Sequence, residues 1–103
     1  MGGGARAVVW TPAALDCVNE ALAYIAQDSE QAAIRVLDAI EATSASLSTL
    51  SERGHVVPEL DDRTIREVYV YRYRLIYQLS SAQVRILALI HGSMDFAGRL
   101  KNA

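Results

Sequence analysis

Few residues in this chain of 103 are equipped for chemistry, and most of them lie in its second half. Arg72 and Arg74 are set into an apolar and aromatic run, Tyr73-Arg74-Leu75-Ile76-Tyr77, and Arg85 stands in the next one, Val84-Arg85-Ile86-Leu87-Ala88-Leu89-Ile90. An arginine inside an apolar strand is costly unless it is paired or its guanidinium reaches water. For Arg74 the structural reading is an ion pair with Glu67 or Glu59. The functional reading is a contact to a partner, because a guanidinium fork grips a carboxylate through two parallel hydrogen bonds. His91 closes the second run and is the candidate general base, since imidazole titrates near neutrality. A histidine at a strand end also has a plain structural reading. Tyr69, Tyr71, Tyr73 and Tyr77 alternate, which suits cross-strand core and rim pairs or an exposed stacking surface. Arg66-Glu67 reads as a surface pair. Cys17 is the single cysteine, forms no internal disulfide, and reads as a small buried hydrophobe within a helix. No cysteine–histidine spacing suits a metal, and no cofactor is expected.

These residues need a frame. The two apolar runs, separated by Ser80-Ser81-Ala82-Gln83, read as a central β-hairpin. Their apolar character on both faces calls for cover. Residues 65–70 read as the preceding strand, with Tyr71-Arg72 as the bend. Upstream, residues 6–10 read as a short strand. Thr11-Pro12 then starts a helix, with threonine at the N-cap and proline at the first helical position. The spacing of Leu15, Val18, Leu22 and Ile25 puts them on one face of a helix over 12–27. Asp28 or Ser29 caps a second helix, over 28–51, with a stripe of Ala33, Leu37, Ile40, Ser44, Leu47 and Leu50. The short link implies an antiparallel helical hairpin. Residues 51–64, punctuated by Gly54 and Pro58, read as a loop. The fold class is therefore α+β, in the order β-α-α-β-β-β: an antiparallel sheet with the helical hairpin packed on one face.

Length suits one domain, residues 1–103, with 1–5 and about 97–103 as flexible tails. Just over half of the residues are hydrophobic, so a packed globule is expected. No apolar stretch approaches a membrane span. The N-terminus lacks the apolar core of a secretory signal, which points to a cytoplasmic protein. The net charge of −2 argues against direct sequence-specific nucleic-acid binding.

The order of elements resembles that of the ParE/RelE superfamily of bacterial type II toxin–antitoxin toxins. So do Trp10-Thr11-Pro12-Ala13-Ala14, Gly54-His55-Val56-Val57-Pro58-Glu59-Leu60, Ile65-Arg66-Glu67-Val68, and Tyr73-Arg74-Leu75-Ile76-Tyr77 running on to Ile86-Leu87-Ala88-Leu89-Ile90-His91-Gly92. The resemblance spans about residues 8–96. It implies neutralisation by a cognate antitoxin and one of two activities: a RelE-like, ribosome-dependent mRNA endoribonuclease, or a ParE-like inhibitor of DNA gyrase without a known active site. RNA cleavage needs a base, an acid and cations around the phosphorane. On the family pattern Arg74 falls on a phosphate-contacting arginine. Ile65 and Glu67, however, stand where basic residues belong, and Met94 where a catalytic arginine is expected. The resemblance thus implies the ParE-like branch, a toxin without its own chemistry. Arg72, Arg74, Tyr71, Tyr77, Arg85 and His91 are its candidate antitoxin- or target-binding residues. The ribonuclease reading, with Arg74 and His91 at the site, is the alternative. A sheet face left uncovered beyond the helices is the expected binding surface.

Overall fold

The computed structural model describes residues 5–93. The tails expected at 1–5 and 97–103 therefore fall outside it, apart from Ala5, as does Met94. The chain runs β1 (Ala7–Trp10), α1 (Pro12–Ala26), α2 (Glu30–Ser46), β2 (His55–Val56), β3 (Ile65–Val70), β4 (Tyr73–Leu79) and β5 (Gln83–His91). The strands form one five-stranded sheet in the order β1-β5-β4-β3-β2. Three of its pairings are antiparallel, and β1 joins β5 in parallel. The expected α+β class holds, with two additions. β2 is a short strand within the expected loop, and the sheet is not wholly antiparallel.

Local chemistry sets the helix ends. The Thr11 hydroxyl accepts from the Ala14 N–H at 3.1 Å and donates to the Ile86 carbonyl at 2.8 Å. One side chain thus caps α1 and fixes it to β5. Ser29 caps α2 by accepting from the Ala32 N–H at 3.1 Å, and Glu30 sits in the first turn, where the helix dipole favours it. α2 ends at Ser46 rather than near residue 51, and hydrogen-bonded turns continue to Arg53.

The helices pack on one sheet face, around Val18, Ile40, Leu47, Leu75, Tyr77, Val84 and Ile86. The buried residues of α1 are Ala14, Val18 and Ala21, so the face is turned away from the expected Leu15-led stripe. Leu22 and Ile25 are only half-buried at its border, and Leu15 is about half exposed at 49%. Alanines let the helix axis approach the sheet closely, and the larger leucine is left at the rim. In α2 the buried residues are Val36, Ile40 and Ser44, with Leu47 at the C-cap, while Leu50 is exposed.

The second sheet face, expected to be left uncovered as a binding surface, is in fact covered. Val57, Ile76, Ala88 and Ile90 form a smaller core there, joined by Leu60, Ile65 and Leu87. The loop between β2 and β3 folds back to cover it. An irregularity in the β4–β5 ladder helps: Ile76 pairs with Ala88 but Tyr77 with Ile86, leaving Leu87 as an extra residue. A one-residue insertion exchanges the faces of everything after it. Val84 and Ile86 thus share the helical face with Leu89, while Ala88 and Ile90 face the loop.

Candidate functional site

Arg74 lies on the loop-covered face, diagonally across the β3–β4 ladder from Glu67. It donates through Nη1 and Nη2 to the two carboxylate oxygens of Glu59, both at 2.8 Å, and through Nε to Glu67 Oε1. The side chain is 6% exposed, against 10% for Glu67 and 35% for Glu59. Two carboxylates therefore take three of the guanidinium N–H groups, and the fork is buried between them. The hydrogen bonds from Arg74 hold the Glu59 carboxyl below the usual carboxylate range against a smaller opposing effect of burial, and the same pairing with Glu59 leads in raising the Arg74 pKa. Glu59 is carried by the β2–β3 loop. That loop is set by the Val57 N–H bonding to the Ile65 carbonyl at 3.1 Å, and by Asp62 Oδ1 accepting from the Thr64 N–H and hydroxyl at 2.9 and 2.6 Å. Those two bonds also lower the Asp62 pKa. Glu67 does not form the expected surface pair with Arg66. The two neighbours project to opposite faces of β3, and Arg66 Nη1 donates instead to the Gly54 carbonyl at 2.8 Å.

The other expected residues separate. Tyr77 is fully buried on the helical face, and its hydroxyl accepts from the Gly54 N–H at 3.0 Å and donates to the Ser51 carbonyl at 2.8 Å. Burial raises its pKa. In the folded chain it has no surface to offer. Arg85 is exposed toward the opposite end of β5 from His91, six residues away, or about 20 Å at strand rise. Tyr71, Arg72 and His91 do come together. Tyr71 and Arg72 form the exposed turn between β3 and β4, and Tyr71 adopts a φ of 54°. His91 pairs with Tyr73 across the ladder, its ring edge-on to the tyrosine at 5.6 Å, and its Nδ1 lies 2.8 Å from Ser93 Oγ. His55 is exposed on β2 and Cys17 is half-buried in α1.

Two adjoining hollows, of about 450 and 340 Å³, open beside this turn and share Tyr24, Tyr73 and His91. The larger also takes in Arg35, Tyr71 and Arg72, over a floor of Ile25, Ala32 and Val36. A third hollow, of about 270 Å³, lies between the helices and is lined by Trp10, Leu15, Val18, Leu37 and Ile40, together with the polar Glu41 and Ser44. Tyr24, Arg35, Trp10, Leu15 and Leu37 were not read as binding residues from the sequence. The signal available was Tyr24, an aromatic side chain off the expected stripe of its helix; Leu15 and Leu37 had been placed on the core stripes. No group of His, Cys, Asp and Glu among the described residues could hold a metal. No helix among them is long and apolar enough to cross a membrane.

A helical hairpin clasped to one face of a five-stranded sheet, with a loop locked onto the other by an arginine between two carboxylates, is the frame of a small α+β domain. The family described as the ParE toxin of the type II toxin–antitoxin system parDE matches residues 8–96, and this chain belongs to that family. Among solved structures it is similar to the chromosomal ParDE toxin–antitoxin system from P. aeruginosa, with a TM-score of 0.68 at 13% identity, covering 84% of this chain and 95% of the other. That likeness is one of fold. No curated protein matches the chain.

Proposed function

We propose that this chain is a toxin that acts in the cytoplasm by binding a protein target, DNA gyrase, and that a cognate antitoxin neutralises it. The observation that carries the first part is the state of Arg74. Its guanidinium is the one group that the RelE-like pattern places on the scissile phosphate, and here it is occupied by Glu59 and Glu67. Displacing two carboxylates with a phosphate, next to Glu67, would set like charges against each other at close range. Membership in the ParE family supports the gyrase reading.

The apolar hollow between the helices supports the antitoxin reading. Trp10, Leu15 and Leu37 offer a groove into which an amphipathic helix can set its apolar side chains. The ParDE system of similar fold supports the same partner. Burial of apolar surface would supply most of the affinity, so the complex should tolerate salt. Tyr71, Arg72 and His91 remain as contacts for the target.

The test is expression of the chain with three readouts. Gyrase inhibition gives filamentation, a DNA-damage response and loss of supercoiling activity in a purified gyrase assay. Primer extension on messages from translating ribosomes should show no toxin-dependent cuts. Codon-positioned cuts abolished by Arg74→Ala or His91→Ala would replace this reading with the ribonuclease one.

A further inference from the structure

The groove at the Tyr71 turn has a chemistry that the hollow between the helices lacks. Arg35 and Arg72 stand at its mouth, both exposed, and neither has an ion pair or a side-chain hydrogen bond among the described residues. Tyr24 and Tyr71, 71% and 63% exposed, flank them. The floor of Ile25, Ala32 and Val36 is aliphatic. Tyr71 holds this position with a left-handed backbone, where glycine or asparagine would be unstrained, so the turn gives up some stability to present a ring there. The two exposed cations suit anionic partners, and the aliphatic floor suits an apolar side chain. A planar base and a phosphate chain fit less well, because the groove offers only two arginines on a chain of net charge −2.

We infer that this groove is the target-docking surface, and that it takes an acidic segment of the target protein bearing one apolar anchor residue. The anchor sits on the aliphatic floor, and carboxylates on either side meet Arg35 and Arg72 as charge-assisted pairs. This rests on the proposed toxin function and names the site through which it acts. The groove shares no lining residue with the hollow between the helices, so target and antitoxin engage separate surfaces. The distinction also follows from chemistry. Exposed charges at a rim steer fast, reversible encounter, whereas lasting neutralisation calls for the apolar hollow.

The experiment compares the wild-type chain with R35E/R72E, R35K/R72K and Tyr24→Ala, each expressed alone and together with the product of the neighbouring open reading frame. Wild type and R35K/R72K should arrest growth. R35E/R72E should grow as the empty vector does, and Tyr24→Ala should be impaired in the same direction. All four should co-purify equally with the neighbour's product, which also shows that each variant folds. Growth arrest by R35E/R72E equal to wild type overturns the inference while leaving the toxin reading intact. Loss of co-purification with arrest retained makes the groove an antitoxin surface and overturns it too. Binding of fluorescein-labelled oligothymidylate by wild type, lost in R35E/R72E, makes it a nucleic-acid groove. A wild type that arrests nothing overturns the toxin reading and this inference together.

Discussion

Replacing Arg74 by methionine tests the central claim about this molecule, that its most suggestive cation holds the fold rather than a phosphate. The substitution keeps an unbranched apolar stem beside Ile76 and removes the charge. Glu67, with a side chain only 10% exposed, would then be a buried carboxylate without its cation. Breaking a buried pair in this way costs about 3–5 kcal/mol. Glu59 is 35% exposed and rehydrates when released, so its share is under about 1 kcal/mol. A loss of about 3–5 kcal/mol is a large part of the roughly 5–15 kcal/mol that holds a domain of this size. The double change Arg74→Met with Glu67→Leu removes both buried charges and should return to within about 1 kcal/mol of wild type, because an apolar pair replaces an ionic one with little loss. Urea denaturation followed by far-UV circular dichroism measures all of these and closes a double-mutant cycle. If Arg74→Met costs under about 1 kcal/mol, or if Glu67→Leu fails to rescue it, the ion cluster is not what holds the loop.

Further outcomes follow from the same structure. Tyr77→Phe leaves the Gly54 N–H and the Ser51 carbonyl unpaired in the core and should cost about 1–3 kcal/mol in the same denaturation experiment. Gly54→Ala should destabilise markedly, because a methyl there would come within 2.5 Å of both the Glu67 carbonyl oxygen and the Tyr77 hydroxyl. Ile40→Ala, at a fully buried position, should cost about 2–5 kcal/mol, whereas Leu22→Ala, half-buried at the core border, should cost clearly less. The lowered pKa of Glu59 fixes the sign of a pH effect: its contribution is present above the ordinary value of 4.5 and is lost as pH falls through the folded value below that. Stability measured from neutral into acidic pH should show that loss, and Glu59→Gln should flatten the acid limb.

Much of the scaffold was legible because it is local. Thr11-Pro12 and Ser29 mark helix starts through groups within three residues of each other, and Ile65–Val70, the Tyr71-Arg72 bend and the last strand, read as Val84–Ile90 closed by His91 and found one residue longer at its start, follow from runs of β-branched and aromatic residues. Arg74 was legible as a problem, since a charge in an apolar strand must be answered, and both carboxylates that answer it had been singled out. What could not be read was which face each side chain takes. The stripe of α1 depends on how closely the helix approaches the sheet. Ala14 and Ala21 allow close approach where a pattern weighted by hydrophobicity favours Leu15.

Other features required the chain to come together at long range. Whether β1 lies parallel to β5 is a matter of which edge is free once the hairpin has formed, and the two are more than seventy residues apart. The extra residue at Leu87 changes the parity of β5, and only the pairing with β4 reveals it. The larger groove is assembled from α1, α2, the β3–β4 turn with the start of β4, and the end of β5, so no window of sequence contains it. The sequence by itself determined the elements other than the short β2, their order and the family pattern, because hydrogen bonds and periodicity within an element act between near neighbours. The tertiary structure alone decided that Arg74 is locked, that Tyr77 is sealed in the core, and that Arg35 and Tyr24 stand beside Arg72, because burial and charge pairing depend on what packs against a side chain.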